Sequence, residues 1–167
     1  MRANLLTIPL ITAALAGCAG DNPDNVPEYG QWAIDTKLSS LTVDGLMVPA
    51  SDLPQEMLAL NKSEDRCGEP MFIDRDWQQA DINRRVRGKC TLQRYNVNPT
   101  TVTGSGKCEE IAAGVDFAPE FDLAITQAPQ SYRMRLTIKG MADLPDGTTR
   151  YISAVAVQEG KRTGDCN

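Results

Sequence analysis

The chain has 167 residues, 17 basic and 22 acidic side chains, and no histidine. A net charge of −5 argues against a generic nucleic-acid binder, which needs a basic footprint. The absence of imidazole excludes Ser-His-Asp and Cys-His nucleophilic machinery, histidine metal ligands and a histidine pH switch.

Residues 1–18 begin Met-Arg-Ala-Asn, continue as an apolar run from Leu5 to Ala16, and close on Gly17-Cys18. A short basic start, a 7–15-residue apolar stretch and small residues before a break form an export signal. The run is too short to span a bilayer as a helix, which takes about 20 residues. Leu15-Ala16-Gly17-Cys18 resembles a lipobox, so residues 1–17 read as a lipoprotein signal peptide and Cys18 as the acylated first residue. Two or more acyl chains anchor stably where one does not. Ala19, in place of Asp, favours the outer membrane over the inner one.

Removing 17 of 167 residues leaves 150, and loss of Arg2 moves the net charge from −5 to −6. That is one domain's worth of chain. Residues 18–28 are expected as a lipidated polar tether, with a single β-rich domain over 29–167. Beyond Cys18 there are four cysteines, Cys67, Cys90, Cys108 and Cys166. An even number in an exported domain reads as two disulfides with three possible connectivities. Cys67–Cys90 with Cys108–Cys166 is the preferred pairing, because it closes one local loop and ties the C-terminus to mid-chain. The spacing is too wide for a zinc site, and no cofactor motif is present.

From Trp32 the pattern alternates, with Trp32, Ile34, Thr36 and Leu38 on one face of a strand. Leu53, Met57, Leu58 and Leu60 recur at near-helical spacing and predict a helix over 53–62. A second short helix can begin near Asp74. Alternation returns in Arg85-Val86-Arg87-Gly88-Lys89-Cys90, with three cations on one face. A hairpin follows around Asn96-Val97-Asn98-Pro99. Phe121, Leu123 and Ile125, then Tyr132, Met134, Leu136 and Ile138, predict two further half-buried strands. Tyr151–Val157 reads as a strand and 160–167 as a polar tail fastened by Cys166. The expected fold class is α+β, mostly β: a single curved antiparallel sheet of six or seven strands on one or two short helices.

The lipobox, Gly30-Gln31-Trp32 opening the first strand, the four exported cysteines and the ending Gly160-Lys161-Arg162-Thr163-Gly164-Asp165-Cys166 together resemble the DUF3617 family of small exported proteobacterial proteins. The resemblance covers the chain from Gly30. It implies an envelope location and a β-rich disulfide-bonded domain, and it carries over no catalytic residue. The charged stretch Asp74–Lys89 departs from the family pattern.

Two cationic faces, Arg85/Arg87/Lys89 and Arg133/Arg135/Lys139, are candidate parts of a patch for an anionic partner; long cations on a solvated sheet face are the plainer reading. The acidic pairs Asp74/Asp76 and Glu109/Glu110 are the residues a carboxylate hydrolase would use. Trp32, Trp77 and Tyr132 are expected in the core, and Gly104 and Gly106 at a bulge or close packing. The leading functional expectation is a non-catalytic, lipid-anchored envelope module engaging a protein, lipid or cell-wall partner. A carrier of a small apolar ligand is the alternative, which needs a cavity of roughly 300 Å³ or more between sheet and helix.

Overall fold

The computed structural model describes residues 24–86, 88–109 and 116–166. The signal 1–17, Cys18, Arg87 and Glu110 lie outside them. In chain order the elements are β1 (Gly30–Val43), β2 (Leu46–Met47), a 3₁₀ turn (Ala50–Asp52), α1 (Gln55–Leu58), β3 (Lys62–Gly68), α2 (Arg75–Val86) and β4 (Lys89–Val97), followed by β5 (Thr101–Glu109), β6 (Asp116–Phe117), β7 (Glu120–Ala128), β8 (Ser131–Asp143) and β9 (Thr149–Gly164). The strands form one antiparallel sheet in the order β2-β1-β9-β8-β7-β5-β4, with β3 beside the first half of β1 and β6 beside β8.

Period-two alternation builds the inner face. Phe121, Leu123 and Ile125 of β7 point inward, as do Tyr132, Met134 and Leu136 of β8. Trp32 and Ile34 come from β1, Val102 and Cys108 from β5, and Cys90 and Leu92 from β4. Each large apolar side chain so buried contributes about 1.5–3 kcal/mol. Helix α2 lies across this face and adds Ile82, while the polar outer face is open. Gly160 has a steric reason: a Cβ there would stand 2.0 Å from the Tyr132 ring, its cross-strand partner.

Helix α2 begins where Asp74 accepts a hydrogen bond from the Trp77 amide at 2.9 Å, a side-chain N-cap. Its buried face carries Gln78 and Asp81 beside Ile82. Neighbouring amides do structural work too. Asn83 accepts from the Cys90 amide and Gln79 from the Leu92 amide. Those N–H groups lie on edge strand β4, so the helix blocks the edge with side chains.

The structure differs from the sequence reading in several places. The helix expected over 53–62 shrinks to α1, between Pro54 and a strand that starts at Lys62. That strand, β3, pairs with β1 from Gly30↔Gly68 to Thr36↔Lys62, yet Lys62 to Cys67 are all exposed. With no apolar face it leaves no hydrophobic period. The tail expected over 160–167 is strand β9 as far as Gly164. The packed chain also starts before Tyr29: Pro27 is fully buried, and Asn25 donates to Pro70 O and accepts from the Phe72 amide.

The disulfides are Cys67–Cys166 and Cys90–Cys108, with Cα separations of 5.5 and 3.8 Å, which replaces the expected pairing. Register decides this. Cys90 and Cys108 are direct partners across the β4–β5 hairpin. Cys67 pairs with Gln31, and Gln31 with Gly164, which brings Cys166 alongside. Disulfides belong to oxidising compartments, as an exported protein requires. No helix among the described residues is long and apolar enough to cross a membrane.

Candidate binding surfaces

The interior comes first, because a carrier would use it. Between α2, β3 and the sheet lies a crevice lined by Trp32, Phe72, Tyr132, Glu64, Arg66 and Arg85 among others. The three aromatics pack together, with centroids 5.6 Å apart for Trp32–Tyr132 and 4.9 Å for Phe72–Tyr132. The remaining space is about 20 Å³, room for one water. An apolar ligand does not fit there, so the carrier alternative fails at this place.

Above the aromatics runs a buried polar chain. Arg85 donates to Asp81 and to Gln158 Oε1, which also accepts from the Tyr132 hydroxyl at 3.0 Å. Gln158 Nε2 donates to Thr36 Oγ1 at 2.9 Å. Burial pushes the Tyr132 phenol up to about 12, with Arg85 partly opposing it, and burial also raises Tyr95. A phenol raised in the folded state favours folding while it stays neutral. That contribution is whole below pH 10 and is lost as pH rises from about 10 towards 12. Tyr132→Phe should therefore flatten the alkaline loss of stability. Urea unfolding at pH 8 and pH 11 measures this; an equally steep loss in both proteins would refute the assignment.

The outer face carries the larger concavity, an open trough of about 680 Å³ across β1, β9, β8 and β7. One rung of the sheet across it runs Asp35, Glu159, Arg133, Thr126; the next runs Ala33, Lys161, Ser131, Ala128. Small side chains form the floor and charged ones the walls. Arg133 pairs with Glu159 at 3.0 Å, and Asp35 with Lys37. Hydrogen bonds from Lys37 and then Ser63 lower the Asp35 carboxyl, while Asp35 raises Lys37. Lys161 has no ion-pair partner among the described residues, although the charges lining the trough balance, Asp35 and Glu159 against Arg133 and Lys161.

Among the described residues, the two cationic groups singled out by sequence do not come together into one patch. Arg85 belongs to α2 and turns to Asp81; its apparent strand alternation is an i,i+4 helical pair. Lys89 lies on β4 beside Glu109, three places from β8 in the sheet order. Lys139 is held by Asp122 at 2.7 Å. Arg133, Arg135 and Lys139 do alternate onto one outward face of β8, but of these three Arg133 alone lines the trough. One member of each carboxylate pair is engaged: Asp74 caps α2 and Glu109 pairs with Lys89. No group of three His, Cys, Asp or Glu side chains among the described residues is placed to hold a metal. Reading 160–167 as a tail hid Lys161. The Glu159/Lys161 alternation, set against Arg133/Arg135, was the signal for it.

Residues 27–166 match the family described as "Protein of unknown function (DUF3617)". The chain belongs to the DUF3617 family. The match begins at buried Pro27 and ends at disulfide-bonded Cys166, so this DUF3617 domain coincides with the packed region. No curated protein matches it. Among solved structures it is similar to the monomer form of the M. tuberculosis PknI sensor domain, at 13% identity and a TM-score of 0.21, over 84% of this chain and 90% of that one. At that score the likeness carries no weight for fold or function.

Proposed function

We propose that this DUF3617 protein is a lipid-anchored envelope lipoprotein whose domain is a non-catalytic binding module, with the outer-face trough as its binding surface. The lipobox ending at Cys18 supports the anchor, and the two disulfides support export. The unpaired Lys161 in an open trough carries the binding reading. It has room for an extended ligand, small residues at its base, and in Lys161 a cation with no ion-pair partner among the described residues to take a phosphate or carboxylate. Arg133, held by Glu159, is a second donor that an anion could recruit.

Two measurements test the two halves. Cys18→Ser should abolish acyl labelling and membrane retention while leaving the domain folded; retention in the membrane fraction would overturn the anchor. That soluble variant should then bind an anionic envelope component, assayed by titration with lipid A micelles and with a muramyl peptide. Lys161→Glu should weaken binding by about tenfold, the scale of one charge-assisted hydrogen bond. Equal affinity in both proteins, or no binding of either probe, would overturn the trough as the site.

A further inference from the structure

The chain enters the domain beside one end of the trough. The Glu28 amide donates to the Pro129 carbonyl at 2.9 Å, and the Trp32 indole donates to the Glu28 carbonyl. Pro129 sits in the turn between β7 and β8, flanked by Ala128 and Gln130, both of which line the trough. The Arg162 amide, next to Lys161, donates to the Gln130 carbonyl at 2.9 Å. Asn25 is held to Pro70, just beyond the Gly30↔Gly68 pair, at the same end of the sheet. Asp24, where the described chain starts, stands 24 − 18 = 6 positions after Cys18. A residue spans at most about 3.6 Å, so acyl chains on Cys18 keep Asp24 within about 22 Å of the bilayer. β8 runs 13 residues from Ser131 at this end to Asp143, about 40 Å away. The trough therefore lies at the end of the domain that the anchor holds.

The charges of the trough are ordered from that end inward. The rung nearest the turn, Ala33, Lys161, Ser131 and Ala128, carries one cation. The next, Asp35, Glu159, Arg133 and Thr126, carries two carboxylates and one guanidinium. A positive rung thus precedes a net negative one, two residues or about 7 Å further along the strands. The Glu159–Arg133 and Asp35–Lys37 pairs are exposed, so water weakens them and their oxygens can accept from a second cation. A phospholipid headgroup that ends in an amine presents its charges in the matching order as it rises from a bilayer, phosphate first and ammonium beyond. We propose that the trough takes the aminophospholipid headgroup of the membrane that anchors Cys18, with the phosphate on Lys161 and the ammonium at Glu159 and Asp35. This rests on the anchor and the trough argued above, and narrows the phosphate ligand to one that also carries an amine. The short tether keeps headgroups at high effective concentration beside the trough, so a site of low intrinsic affinity is filled.

The test has two arms. In the first, the soluble Cys18→Ser variant is titrated with glycerophosphoethanolamine and with glycerophosphoglycerol, followed by backbone amide NMR shifts. The expected result is shifts around Ser131, Glu159 and Lys161, with the ethanolamine headgroup bound several times more tightly. Lys161→Glu should weaken both headgroups about tenfold, whereas Asp35→Asn/Glu159→Gln should bind the two alike. These side chains are exposed, and an unchanged melting temperature checks that the variants fold. In the second arm, the lipidated full chain is placed in phosphatidylcholine vesicles containing phosphatidylethanolamine. A photo-crosslinking residue at exposed Gln130 should give lipid adducts, and one at exposed Pro145, in the turn between β8 and β9, should give none. Equal affinity for the two headgroups, a preference that survives Asp35→Asn/Glu159→Gln, or equal lipid adducts from 130 and 145 would each overturn the inference. If lipid A micelles or the muramyl peptide still bind in a Lys161-dependent way, the trough stands and only this ligand falls; if nothing binds through Lys161, both fall.

Discussion

Replacing Cys67 and Cys166 together by alanine should lower the stability of this domain by about 4–5 kcal/mol, the entropic contribution of a closed loop near 100 residues. The bridge spans 99 residues and ties edge strand β3 to the end of β9. Without it β3 keeps its ladder to β1 and a few exposed polar contacts, among them Ser63 to Asp35 and Arg66 over Trp77, but buries no apolar side chain. The Cys90–Cys108 bridge closes 18 residues, so chain entropy assigns it about 3 kcal/mol. Those two cysteines are also core residues, and their removal adds a packing loss. Urea unfolding of the oxidised variants measures both effects. Non-reducing peptide maps should contain Cys67 linked to Cys166 and Cys90 linked to Cys108. A peptide linking Cys67 to Cys90 would falsify the strand register argued above, because those residues belong to strands at opposite edges of the sheet.

A single added methyl should be nearly as damaging at Gly106. A Cβ there would stand 2.0 Å from the Thr91 carbonyl oxygen and 2.7 Å from two atoms of the Phe121 ring. The ring is fully buried in the core and the carbonyl belongs to the paired strand β4, so neither can step aside cheaply. Overpacking of this kind costs about 1–3 kcal/mol and sometimes more. Gly106→Ala is expected at the upper end, near 3 kcal/mol, because one clash is with backbone. Pairing it with Phe121→Leu relieves only the ring contact. The double variant should therefore recover little, as a double-mutant cycle of melting temperatures would show. Full recovery would place the strain in the ring and refute the backbone contact as the main cause.

Much of this domain was legible from local pattern. Trp32, Ile34, Phe121, Leu123, Ile125, Tyr132, Met134 and Leu136 announce their inward faces by alternation, because side chains on a strand change face at every residue. The hairpin between β4 and β5 and the start of α2 at Asp74 are local too, set by turn and cap chemistry within a few residues. The close packing at Gly104 and Gly106 was visible as glycine inside a strand.

What escaped the sequence depended on contacts between distant segments. Strand β3 has charges on both faces and exists because β1 offers it hydrogen bonds, so no period marks it. Helix α2 is buried on a polar face, with Asp81 answered by Arg85, and Gln79 and Asn83 answered by β4 amides. A hydrophobicity pattern cannot represent such a face. The disulfide pairing followed register, although Cys90 and Cys108 stand equally far from the turn at Pro99, and that symmetry was the available clue. The trough is a property of the assembled sheet: Lys161 and Ala33 are neighbours only after β1 and β9, the first and last long strands, have paired. By itself the sequence determined compartment chemistry, fold class and which faces turn inward, because those follow from residue type and short-range period. Only the tertiary structure decided which cysteines bond and which surfaces are left to bind, because register and strand order join distant residues, Cys67 to Cys166 across 99 positions and Ala33 to Lys161 across 161 − 33 = 128.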